Sequence, residues 1–164
     1  MNKLALRYKF DPSYFDDKLT RDDFGWLSVI VETASFKGES GFWVQWQDVV
    51  EFGESLDRYP IEPGSPISIQ WGYNKQEGDD LIVRLQISPR GSRGELTASV
   101  EIADYDDNFQ RLITSYRTTY AAVDIFKSEI AKLMKREIDE AVLDVHAATV
   151  LTKSKVVPEH GVLD

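Results

Sequence analysis

The chain contains no cysteine and only two histidines. Without thiols there are no disulfides, no cysteine nucleophile and no thiolate-bound zinc; such a composition suits a reducing compartment. A catalytic histidine works from the packed body of a site and is held there by a third group, while a metal-bound histidine needs companions at close spacing. His146 and His160 lie in a weakly patterned C-terminal segment and meet neither condition. Nucleotide and hydrolase loops are missing too. Gly91-Ser92-Arg93-Gly94 is too short for a phosphate loop and lacks the following Lys-Ser or Lys-Thr, and there is no Gly-x-Ser-x-Gly turn. No run of apolar residues approaches a membrane span, and the stretch from Met1 to Arg7 lacks the apolar core of a signal peptide. The sequence therefore predicts a non-enzymatic, cytoplasmic protein with no metal, no cofactor and no membrane partner.

Basic clusters are also scarce. Lys and Arg number 19 against 28 Asp and Glu, a formal net charge of -9. The densest basic run, Lys132, Lys135 and Arg136, is interleaved with acids. A negative surface repels a phosphate backbone and attracts basic partners, so the linear pattern predicts no nucleic-acid partner.

What is present is a foldable α+β pattern. The 164 residues suit one domain, the apolar share is 42%, and 4 Trp, 7 Tyr and 8 Phe supply large rings for packing. Leu4 to Phe10 reads as a short strand. Trp26 to Phe36 and Phe42 to Trp46 read as a hairpin about the turn Lys37 to Gly41. Asp48, with Glu51 three residues on, has the form of a helix N-cap, and Val49, Phe52, Leu56 and Tyr59 follow at helical spacing. Period-two alternation then appears over Ile67 to Tyr73, Leu81 to Ser88 and Leu96 to Ile102, with a less regular strand at about Gln110 to Tyr120. One apolar and one polar face per strand predicts an antiparallel meander covered on one side. From Ala121 the period becomes helical, with Phe126, Ile130, Leu133, Ile138 and Val142 near one stripe, which predicts a long C-terminal helix to about Leu143 packed on the sheet. The expected organisation is one α+β domain over 1–143, with 144–164 an extension that forms a strand, docks or frays.

Acidic clusters invite site readings. Asp104 to Asn108 begins like a calcium loop, but Phe109 and Ser115 stand where that loop needs Gly and Glu, so a solvated hairpin turn fits better. Asp16-Asp17, Asp22-Asp23 and Asp79-Asp80 are adjacent loop acids. Acid–base chemistry would need two of them facing each other across a preformed pocket. The sheet's second face is more distinctive: with Leu27, Val29, Val31 and Val44 inward, Trp26, Ile30 and Trp43 point outward among Gln45, Gln70, Arg84 and Thr97. Such a mix suits a binding surface, and equally a face covered by another part of the chain or by a second copy.

Between Trp26 and Leu133 the order of segments resembles the WapI-like immunity family, small bacterial proteins that neutralise polymorphic toxins. The resemblance runs through Trp26-Leu27-Ser28-Val29, a Phe-containing return strand, the acidic helix Asp48 to Tyr59, Leu85 to Gly94, Glu95 to Val100, the acidic loop Asp104 to Asn108, and Tyr120 to Leu133. It implies a non-catalytic protein-binding module that blocks a toxin and carries no catalytic motif. Taken with the net negative charge, it points to a basic toxin domain as partner. The expected contacts are the acidic turns Glu77, Asp79, Asp80 and Asp104, Asp106, Asp107, with Trp43 as an aromatic anchor. The alternative expectation is a structural subunit, a homodimer joined through the aromatic side of the sheet.

Overall fold

A computed structural model of the protein describes residues 2–10, 24–74 and 78–144. Its elements run β1 (Lys3–Phe10), β2 (Phe24–Glu32), β3 (Lys37–Gln45), α1 (Trp46–Ser55), β4 (Ile67–Gly72), β5 (Leu81–Arg90), β6 (Glu95–Ala103), β7 (Arg111–Thr119), α2 (Tyr120–Met134) and β8 (Ala141–Asp144). They form two four-stranded antiparallel sheets, ordered β3-β2-β1-β8 and β4-β5-β6-β7. The fold class is α+β, as the change of period from two to helical predicts.

Alternation sets the core. Leu27, Val29 and Val31 of the first sheet, and Val83, Leu85, Leu96, Val100 and Ile102 of the second, are buried in one cluster with Val49 and Phe52 of α1 and Phe126, Ile130 and Leu133 of α2. The two sheets are also tied by a polar contact: the buried Tyr116 hydroxyl donates to the Leu143 carbonyl at 2.8 Å. Burial pushes that hydroxyl's pKa well above the ordinary phenol range.

Both helix boundaries differ from the sequence expectation. The α1 N-cap is Gln45, with no side-chain cap bond, and the helix starts at Trp46. Asp48 sits instead in the first turn, where a carboxylate meets the positive end of the helix dipole. Partial burial, and then the neighbouring Glu51, raise its pKa. α2 is capped by Thr119, whose hydroxyl accepts from the Ala122 amide at 3.1 Å. It stops at Met134 although apolar spacing continues to Val142. Arg136 takes the left-handed conformation (φ 63°) and lies over the Phe10 ring at 4.6 Å. The amides of Arg136 and Glu137 donate back to the carbonyls of Leu133 and Lys132. That closing motif satisfies the last helical carbonyls and turns the chain away. Ala141 and Leu143 then enter β8 and are buried against β1, where helical and strand spacing coincide over so short a stretch. His146, His160 and most of the expected 144–164 extension lie outside the described residues. No helix among the described residues is long and apolar enough to cross a membrane.

The β4–β5 connection sets the far end of the second sheet. A Cβ on Gly72 would lie 2.1 Å from the Asp80 carbonyl oxygen, which also accepts from the Tyr73 amide at 2.8 Å. Backbone cannot yield as a flexible side chain does, so Gly72→Ala is expected to cost about 3 kcal/mol. By thermal melting that is a fall in Tm of about 6–12 °C. Gly64→Ala, which meets nothing within 4 Å, is the control and is expected to leave Tm nearly unchanged.

Candidate functional site

The open face of the second sheet is where this acidic chain becomes basic. Register sets its rows. Gln70, Arg84, Glu101 and Ile113 stand side by side, then Ser68, Gln86, Ser99 and Ser115, then Ser88, Thr97 and Arg117, then Arg90 and Glu95. Arg93 projects in the turn at the end of the β5–β6 hairpin. Among the described residues, Arg84, Arg90, Arg111 and Arg117 thus share this face with two acids, Glu95 and Glu101.

Glu101 serves two of these cations. Arg84 Nη1 donates to Glu101 Oε1 at 3.1 Å and Arg111 Nη1 to Glu101 Oε2 at 3.3 Å. Arg84 Nε also donates to Gln70 Oε1 at 2.9 Å, and Arg111 Nη2 to the Gly78 carbonyl at 2.8 Å. One carboxylate between two guanidiniums leaves a positive excess and holds both side chains against the sheet. Arg90 approaches Glu95 at 4.0 Å, while Arg93 and Arg117 form no ion pair among the described residues. Guanidinium forks over a bed of Ser, Thr and Gln offer hydrogen-bond donors to phosphate oxygens and hydroxyls.

A second feature lies at the seam between the sheets. A pocket of about 410 Å³ is lined by Phe24, Phe42, Trp43, Val44, Gln45, Asp48, Trp71, Gly72, Tyr73 and Asn74. Phe24, Trp43 and Tyr73 are 44%, 41% and 43% exposed, so three large rings meet solvent around one opening. The Trp43 and Tyr73 rings are braced by further rings. Trp26 meets Trp43 edge-on at 5.3 Å, Phe42 meets Tyr73 at 5.4 Å, and Tyr105 meets Trp26 at 5.1 Å. Gly41 allows this, because a Cβ there would lie 2.5 Å from Trp26 Nε1. The Tyr73 hydroxyl donates to the Tyr105 carbonyl. Local burial, then Tyr105 and Asp106, hold its pKa above the ordinary phenol range. A groove of about 340 Å³ shares Asp48 and Trp71 with this pocket and Ser68 and Gln70 with the arginine face, making the two surfaces continuous along β4.

Most of the partner contacts expected from sequence do come together. The Asn108 side chain donates to the Asp79 carbonyl, and Asp80 accepts from Tyr73, so the Asp79-Asp80 turn lies beside the 104–108 turn. Asp104 Oδ2 accepts from the amides of Asp106 and Asp107 at 3.1 and 2.9 Å, using one carboxylate to close its own turn. Trp26, Glu39, Asp104, Tyr105 and Asp106 line one hollow, and Trp43 lies against Trp26. Glu77 lies outside the described residues. No group of three or more potential metal ligands occurs among the described residues. A further cleft of about 630 Å³ between α1 and α2 is lined by Trp46, Val50, Gly53, Ile130, Ala131 and Met134, with Glu54, Asp124, Lys127 and Lys135 among its charged residues.

No protein-family model matches the chain, and no curated protein matches it. Solved structures with a similar fold include the plant transcriptional regulator PBF-2, 17% identical over 82% of this chain and 76% of that one, with a TM-score of 0.47. WHY1 from Arabidopsis thaliana is 15% identical over 96% and 89%, with a TM-score of 0.46. WHY3 from the same plant is 15% identical over 94% and 89%, with a TM-score of 0.45. The one whose role is stated is a transcriptional regulator, not an immunity protein. The expectations of a toxin-neutralising module bound to a basic toxin, of a structural subunit or homodimer in its place, and of a surface closed to nucleic acid are corrected on this finding. The physical reason is charge placement. The basic patch is assembled across strands from Arg84, Arg90, Arg111 and Arg117, and no linear run reveals it. The phase of β7, with Arg111, Ile113, Ser115 and Arg117 on one side, was the signal available in the sequence.

Proposed function

We propose that the protein binds single-stranded nucleic acid without catalysis, laying the sugar–phosphate backbone across the open face of the second sheet. The observation that carries this reading is the concentration of arginine over acid on that one face, in a chain whose formal net charge is -9. Backbone phosphates dominate nucleic-acid affinity, and local cations matter more to them than total charge. A duplex fits less well. Its bases are paired and stacked out of reach of the rings, and reading its major groove takes a helix or a narrow ribbon. Here the face is a broad sheet flanked by an aromatic pocket, which is the equipment for single strands: a positive track, and rings on which bases stack. The transcriptional regulator among the similar folds agrees with this reading but does not carry it.

The test is fluorescence anisotropy of a labelled oligothymidylate of about 15 nucleotides, within the site sizes of sheet-based single-strand binders. Saturable binding with Kd in the range of about 1–100 µM is expected, and a duplex of equal length is expected to bind at least about tenfold more weakly. Equal affinity for both forms, or no saturation with the single strand, would refute the reading.

A further inference from the structure

The aromatic pocket is chemically more selective than a stacking surface needs to be. Besides the exposed rings of Phe24, Trp43 and Tyr73, its lining includes three polar residues, Asp48, Gln45 and Asn74. A planar heteroaromatic ring satisfies the three rings, and its hydrogen-bonding edge then meets those polar groups. The carboxylate only accepts hydrogen bonds. Guanine presents two adjacent donors on its Watson–Crick edge, the ring N–H and the exocyclic amine, and so can engage both carboxylate oxygens. Adenine and cytosine offer one amine each, and thymine or uracil sets its single N–H between two carbonyls that a carboxylate repels. The acidic turns at Asp79 and Asp104 disfavour phosphates on one side of the pocket. The β4 groove carries Asp48 and Glu51 as well, but it also holds Ser68 and Gln70 and so leads on to the arginine face, where the phosphates find their cations.

We infer that this pocket takes one unstacked guanine of the bound strand, with Trp43 stacking on the base and Asp48 reading its edge. This rests on the single-strand reading for the strand, but not for the base.

Two titrations separate the two claims. In the first, nucleosides, which carry no phosphate, are added while tryptophan emission is followed. Guanosine is expected to quench at lower concentration than adenosine, cytidine or uridine. In the second, an oligothymidylate carrying one central guanine is compared with those carrying adenine or cytosine there. The guanine strand is expected to bind about tenfold tighter, the discrimination of one good two-pronged base contact. Asp48→Asn is expected to abolish both preferences while leaving the far-ultraviolet circular dichroism unchanged. Trp43→Ala is expected to abolish nucleoside quenching altogether. Equal response to all nucleosides, or a guanine preference that survives Asp48→Asn, overturns the pocket assignment. Guanosine quenching that persists when no oligonucleotide binds overturns strand binding and leaves the pocket standing.

Discussion

Arg93→Glu combined with Arg117→Glu is expected to weaken single-strand binding by about 25-fold or more at 0.1 M salt. Each single-strand phosphate neutralised contributes about 0.7 to the slope of log affinity against log salt, a factor of about 5 per contact at that concentration. Two lost contacts multiply to the stated value, and the new carboxylates add repulsion. The pair is chosen because both side chains are exposed and neither is in an ion pair among the described residues. Their reversal therefore leaves the Arg84–Glu101–Arg111 cluster intact, and stability is expected to change by less than about 0.5 kcal/mol. Lys37→Glu with Lys132→Glu makes the same change in net charge on β3 and α2. If the face matters, that control loses much less affinity than the arginine pair. If only total charge matters, the two double variants behave alike.

Phe126→Ala is expected to be the most destabilising single truncation, at about 3–5 kcal/mol. The ring is fully buried and meets Phe52 edge-on at 6.3 Å, and Phe52 in turn meets Trp71 at 6.5 Å. One chain of rings thereby joins α2, α1 and β4, so the cavity left by Phe126 opens where three elements converge. Against a total stability of about 5–15 kcal/mol, such a loss removes a large share. Urea unfolding followed by circular dichroism checks it, with a lower midpoint expected at an unchanged slope. Phe109→Ala, at a ring 85% exposed, is expected to shift the midpoint hardly at all.

Much of the fold was written in local pattern. Alternation at Ile67–Gly72, Leu81–Arg90 and Glu95–Ala103 is realised strand by strand, because one face of each must be buried. What escaped is non-local or energetically close. The end of α2 depends on Arg136 adopting positive φ over Phe10, a partner more than a hundred positions away that no window on the sequence contains. Ala141 to Asp144 joins β1 because Leu4 and Ala5 supply a sheet edge, not because its own four residues insist on being a strand. The cap of α1 moved from Asp48 to Gln45 because Trp46 could begin the helix directly after β3.

The site was legible in part. The outward placement of Trp43 follows from alternation, and the acidic turns do adjoin each other. The arginine face was hidden because its charges lie far apart in sequence and become neighbours only through the β5–β6–β7 register. Net charge therefore misdirected the reading of partners: a sum over the chain says nothing of how cations gather on one sheet.

The most direct test of the central claim is the salt dependence of oligothymidylate binding, measured by anisotropy between about 50 and 300 mM monovalent salt, for the parent chain and the Arg93→Glu/Arg117→Glu variant. The expected slope is about -2 to -3 in log affinity against log salt, reduced in magnitude by about 1.4 in the variant, as two lost phosphate contacts require. A slope near zero, or one that the two reversals leave unchanged, would contradict it.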